Sequence, residues 1–168
     1  MNTQVTVTAL LVAATLLVGG CSKPSAQEAW SSSESIVVEP GVAIGSVHSG
    51  MTIQQVIAEL GQPDRTVEQA SPEIIRASFY KKIGVTVISG DGGAVVSVGV
   101  RPPFAGHTKE GIGMGASRAD VVRAYGEPTA AKPIRPDVEV LRYEKLGIRF
   151  QLLDGKVDSI FVTLKDTK

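Results

Sequence analysis

Along this chain the spacing of apolar residues changes from helical to alternating, and then does so a second time. Ile53, Val56, Ile57 and Leu60 fall at i, i+3, i+4 and i+7, one stripe of a short helix. Thr52 stands ahead of them with Gln55 three residues on, a capping box, and Gly61 and Pro63 end the run. Alternation follows. Residues 73–81, 84–89 and 94–100 read as strands, with Val85, Val87, Val96, Val98 and Val100 at every second position. The device returns with Ser117 as cap and Asp120 at the third helical position, where the helix dipole favours an acid. Val121, Val122 and Tyr125 make the second stripe, and Gly126 and Pro128 stop it. Residues 137–144, 147–153 and 156–164 are the second set of strands, with Ile148, Phe150, Leu152, Ile160 and Val162 on one face. Asp154-Gly155 between the last two is a strong hairpin signal, because both residues tolerate positive φ.

The two passages are copies. Ser46 to Pro63 aligns with Gly111 to Pro128 at an offset of 65, and Tyr80, Gly84 and Asp91-Gly92 align with Tyr143, Gly147 and Asp154-Gly155 at 63. The expected fold class is therefore α+β: two repeats, each a short helix followed by a three-stranded antiparallel meander, with the helices packed on one face of the sheet or sheets. A unit of about 60 residues is marginal for burying a core, so the pair should form one pseudo-symmetric body. The linker Arg101 to His107 contains Pro102 and Pro103 and should run extended.

The N-terminal side differs. The first twenty residues carry no Lys, Arg, Asp or Glu, and Val5 to Val18 is an apolar run short of the roughly 20 residues a spanning helix needs. Leu17-Val18-Gly19-Gly20-Cys21 resembles the lipobox of bacterial lipoproteins, which implies lipidation at Cys21 after removal of residues 1–20. Cys21 is the only cysteine, so no intrachain disulfide can form. Residues 21–43 read as the lipidated cysteine and a Ser-rich tether, in which residues 35–38 could pair as a short strand and Trp30 could dock on the folded part. Residues 44–103 and 104–168 are the two repeats.

Gly50-Met51-Thr52, Val56, Leu60-Gly61 and Pro63, followed by strands and a terminal Asp-Gly hairpin, resemble the SmpA/OmlA (BamE-like) lipoprotein domain. A tandem pair also resembles the β-lactamase inhibitor protein. The resemblance covers roughly residues 44–164. It implies an envelope lipoprotein, held by its acyl chains to the membrane and facing the periplasm, which contacts another envelope protein in outer-membrane assembly or maintenance. Ser22 after the cysteine, not Asp, implies sorting to the outer membrane by the same resemblance. The inhibitor resemblance implies instead the capture of a periplasmic or extracellular enzyme on an open sheet face.

Charge and chemistry narrow the reading. Seventeen basic and seventeen acidic side chains balance, against the basic surface a nucleic-acid partner needs. The two histidines, His48 and His107, do not occupy equivalent repeat positions, and His48-Ser49 has no orienting acid nearby in sequence. Two His with no spare Cys do not make a metal site. Gly111-Ile-Gly-Met-Gly115 lacks the lysine and spacing of a phosphate loop. The expectation is a protein with no catalytic residues, no metal and no cofactor. Alternation places Phe79, Thr86, Ile88 and Ser97 on the side away from the helices, with Arg142, Arg149, Gln151, Ser159, Phe161 and Thr163 from the second unit. Of these, Phe79, Arg142, Arg149, Gln151 and Phe161 are the candidate partner-binding residues, on a face expected to hold no acid.

Overall fold

The computed structural model describes Trp30 and residues 36–71 and 74–164; Cys21 and the apolar segment before it lie outside the described residues. The chain runs β1 (Val37–Glu39), β2 (Ala43–Ile44), β3 (Val47–His48), α1 (Ile53–Leu60), β4 (Arg65–Ser71), β5 (Ile74–Tyr80), β6 (Val85–Ser89), β7 (Val95–Val100), β8 (His107–Thr108), α2 (Arg118–Tyr125), β9 (Ala130–Arg135), β10 (Val138–Tyr143), β11 (Ile148–Leu153) and β12 (Lys156–Thr163). The class is α+β, with an eight-stranded antiparallel sheet in the order β4-β5-β6-β7-β12-β11-β10-β9 and a four-stranded mixed sheet in the order β3-β2-β1-β8.

The large sheet is one surface. Strands β7 and β12 pair across the middle, with Val98 opposite Val162 and Gly99 opposite Phe161. Helices α1 and α2 and the small sheet contribute to a single core on one face. Ile53, Val56, Leu60 and Val121 join Val38, Ile44 and Val47, and all pack with Val85, Val87, Val98, Ile148, Phe150, Leu152, Ile160 and Val162. The strand parity expected for that face holds at these sheet positions, but Val96, expected with Val98 and Val100, is exposed and Val95 is buried in its place, because the β6–β7 register shifts between Ile88 and Ser89.

Both capping boxes form. The Thr52 N–H donates to Gln55 Oε1 at 2.8 Å, and the Ser117 N–H donates to Asp120 Oδ2 at 3.1 Å. Asp120 thus closes a box as well as meeting the helix dipole. Each capped start is tied to the last strand of its own half. The Val95 N–H donates to Met51 O at 2.9 Å, and the Val157 N–H to Ala116 O at 2.8 Å. These links hold helices too short to persist alone.

Several expectations need correction. Each meander has four strands, not three, because β4 and β9 add to the outer edges. Their sequences do not alternate, since an edge strand bonds through its backbone and need not bury a face; β9 is exposed throughout. The small sheet is built from strands of two or three residues, too short to show a period. Helix α2 packs Val121, Ala124 and Tyr125 against the core, and Val122 is not part of that stripe. Gly61 and Gly126 have positive φ of 80° and 76°, but ψ of −169° and −167° places them outside the left-handed helical region. The linker does not run extended. It turns at once, the Phe104 N–H donating to Arg101 O at 2.9 Å, and buries Phe104. Residues 36–43 of the segment read as a tether belong to the fold, where the short strand considered there forms as β1. Trp30 is buried, and its indole lies so close over Gly45 that a Cβ there would come within 2.8 Å of the ring.

Candidate functional site

The face of the large sheet away from the helices carries one row of residues in continuous register across all eight strands. The row is Arg65, Phe79, Thr86, Gly99, Phe161, Arg149, Arg142 and Ala130. Four of the five sequence-predicted binding residues stand in it. The fifth, Gln151, lies one row along, opposite Val140 and Ser159. A bulge that leaves Asp158 unpaired sets this register: Gln151 faces Ser159, whereas Leu152 faces Val157.

The centre of the row is layered. Gly99 has no side chain, and the Phe161 ring rests on the space so left, with Cε1 2.5 Å from where a Cβ would be. The Arg149 guanidinium carbon lies over the same ring, 4.4 Å from its centroid. That is a cation–π contact within the usual range. Burial, and then the facing Arg142, hold the Arg149 pKa below the usual arginine value. Among the described residues the ion pairs are Arg76–Glu68, Lys109–Glu39, Arg118–Glu139, Arg123–Asp120 and Arg135–Asp137. Arg142 and Arg149 join none of them.

Three shallow depressions open on this face. One of about 290 Å³ is lined by Arg142, Glu144, Gly147, Ile148, Arg149 and Thr163. A second, about 280 Å³, is lined by Ile134, Val140, Arg142, Arg149, Gln151 and Phe161, so the two arginines form the wall between them. The third, about 300 Å³, lies in the other half and includes Phe79, Gly84, Val85, Thr86 and Arg101. By the sequence offset, Phe79 corresponds to Arg142, Gly84 to Gly147, Val85 to Ile148 and Thr86 to Arg149. The halves therefore keep the same turn glycine and core residue beneath equivalent depressions, and differ in what they present to solvent.

Contrary to expectation the face carries an acid: Glu144 lines the first depression. Nor are all its residues available. Ile88 and Ser159 are buried, as are Ala77 and Val140 on the same side. The Ser159 hydroxyl has no hydrogen-bond partner. Val140, Ile134 and Glu144 were missed as members of the site. Parity could have placed Val140 and Glu144, because each is two residues from Arg142. Ile134 sits where the β9–β10 register shifts, so alternation says nothing about it.

Elsewhere the polar groups are engaged structurally. His48 Nδ1 donates to the Ser49 carbonyl at 2.8 Å and His107 Nδ1 to the Thr108 carbonyl at 2.9 Å, so neither of these nitrogens is aimed at a hydroxyl. The Tyr125 hydroxyl donates to Glu110, which lowers the Glu110 pKa, and the Tyr143 hydroxyl donates to Gly126 O at 2.9 Å. Among the described residues no three His, Cys, Asp or Glu side chains converge to hold a metal ion, and no helix is long and apolar enough to cross a membrane.

No known protein family and no curated protein matches the sequence. Among solved structures, the chain has a distant likeness to a DUF4309 family protein, YjgB, from Bacillus subtilis, at 12% identity and a TM-score of 0.45 over 69% of this chain and 80% of that one. It has a similar likeness to an extracellular SCP-domain protein from Bacillus anthracis, at 12% identity and a TM-score of 0.43 over 70% of this chain. A cysteine-rich secretory protein from Staphylococcus aureus gives 14% identity and a TM-score of 0.44 over 76% of this chain. The match spans 44% and 48% of those last two proteins' own lengths.

Proposed function

We propose that this protein is a non-catalytic interaction module of the bacterial cell envelope, a duplicated BamE-like lipoprotein held to the membrane, preferentially the outer one, by acyl chains on Cys21. It faces the periplasm and captures another envelope protein on the open face of its large sheet, as a scaffold or accessory in outer-membrane assembly or maintenance. The observation that carries this reading is the continuous row from Phe79 to Arg142, which presents an aromatic–arginine stack at the centre of the sheet face that neither described helix covers. Aromatic residues and Arg are the side chains most enriched where protein interfaces concentrate binding energy. Capture by strand addition is disfavoured, because both outer strands are irregular. The β9 strand contains Lys132, Pro133 and Arg135, and β4 loses register between Glu68 and Ser71. The lipobox resemblance supplies the location.

Two measurements test this. Metabolic labelling with a fatty acid should mark the wild-type chain and leave Cys21→Ala unmodified, and fractionation should place the wild type in the outer membrane. Photo-crosslinking amino acids at Thr86, Ser97 and Arg142 should join the chain to the same envelope protein, whereas positions on the helix side, Glu59 and Arg123, should not. Absence of label, or adducts arising from the helix side alone, would defeat the proposal.

A further inference from the structure

We propose that the Arg142–Arg149 pair is a receptor for carboxylates on an extended, acidic and partly apolar segment of the partner protein; the inference rests on the reading of the open face as the interaction surface. Three observations lead there. The two guanidinium-bearing residues are directly opposed across β10 and β11. Facing like charges repel on a sheet, and no carboxylate of the described residues pairs with either one. Lys132 adds to the same sign, since it stands opposite Val140, two residues from Arg142 on the same face. An arrangement that is unfavourable within the free chain becomes favourable when an anion spans it.

The second observation is orientation. Arg149 is held by the Phe161 ring, which is itself seated on Gly99. A planar donor fixed in this way loses little freedom on binding, and its fork of N–H groups matches a carboxylate bidentately. The third is what borders the cations. Exposed Ile134 and the Phe161 ring line one side of the arginine wall, over buried Val140. Apolar side chains beside carboxylates would fill that depression.

This distribution argues against a lipid surface. Anionic lipid attracts cations spread over a face, whereas Arg142 and Arg149 stand together, the equivalent positions in the first half are Phe79 and Thr86, and Arg65 lies apart on the far edge strand. Glu144 at the rim also opposes a uniformly anionic plane. A free phosphate would use the cations and leave the apolar borders unoccupied.

The test uses the full chain in a nonionic detergent and a synthetic peptide alternating Asp or Glu with Leu or Phe. Its Asn/Gln counterpart, inorganic phosphate and phosphatidylglycerol vesicles serve as the other probes. Amide shifts at residues 142, 149 and 161 report where each binds. The acidic peptide should bind the wild type and shift these three. Its affinity should fall by about tenfold or more in Arg142→Gln and in Arg149→Gln, and also in Arg149→Lys, which keeps the charge and loses the planar fork. Thermal midpoints of the three variants close to wild type would show that folding is not the cause. Phosphate or vesicles binding as well as the peptide would overturn the proposal in favour of a free anion or a lipid headgroup. Equal binding of the acidic and neutral peptides, lost in Phe161→Ala and untouched by the arginine changes, would overturn it while leaving the face as the interaction surface. Binding of no probe would overturn it too, and the crosslinks from Thr86 and Ser97 would then decide separately whether the face itself is used.

Discussion

Phe161 on β12 covers Gly99 on β7, its direct cross-strand neighbour at the seam between the two halves. A Cβ at position 99 would lie 2.5 Å from Cε1 and 2.6 Å from Cδ1 of the ring, closer than side chains tolerate. The glycine is therefore part of the Arg149–Phe161 stack although it touches no ligand and bears no side chain.

Gly99→Ala should consequently destabilise the protein, by about 1–3 kcal/mol, because the ring must leave its seat. In a Phe161→Ala background the same change should become neutral or stabilising by about 0.4–1 kcal/mol, as the usual loss of unfolded-state freedom takes over. Chemical denaturation of the four chains of this double-mutant cycle measures the coupling. Equal effects in both backgrounds would contradict the contact.

Arg142→Gln should raise stability by a few tenths of a kcal/mol to about 1 kcal/mol, since it removes the like charge facing Arg149 and leaves the Phe161 stack intact. The gain should shrink as salt is added. Denaturation midpoints at low and high ionic strength check both parts, and a loss of stability would mean that Arg142 has an attractive partner.

Gly61 and Gly126 combine positive φ with extended ψ, a region that only glycine occupies without strain. Around Gly126 no atom lies within 4 Å of a Cβ, so the penalty of Gly126→Ala is purely conformational. Each Gly→Ala change should cost about 1–3 kcal/mol. Near-neutral values by denaturation would show that the helices end differently.

All three tyrosines have raised pKa values, chiefly from burial, and Tyr80 is pushed from 10.0 to about 12. Because the folded values lie above the unfolded ones, this part of stability is fully present below pH 10 and is lost as pH rises from there through the folded values. At pH 10 tyrosinate absorbance should be smaller in the native protein than in the unfolded chain, and it should rise at higher pH together with the loss of near-ultraviolet circular dichroism. Equal tyrosinate absorbance at pH 10 in the folded and unfolded chains would refute this.

The core and the helices were readable because they depend on period and on local chemistry. Thr52 with Gln55 and Ser117 with Asp120 make their capping bonds within four consecutive residues, and Val85, Val87, Ile148 and Phe150 are buried by simple alternation. Among the candidate binding residues, parity sufficed to place Phe79, Arg142, Arg149, Gln151 and Phe161 on one side. It could not say that Val140 and Ile88 on that same side are buried, because their burial depends on neighbours from other strands.

The chain's own order of residues thus specifies helices α1 and α2, most of the described strands and their faces, since each of these is a short-range property. Which strands stand next to one another is not. The pairing of β7 with β12 joins residues sixty or more positions apart, and only that pairing places Phe161 on Gly99. The edge strands and the small sheet also escaped the pattern, because backbone hydrogen bonds hold them whatever their side chains are. The opposed arginines are a result of register, which is decided when the halves close into one sheet and the bulge at Asp158 takes up the odd residue.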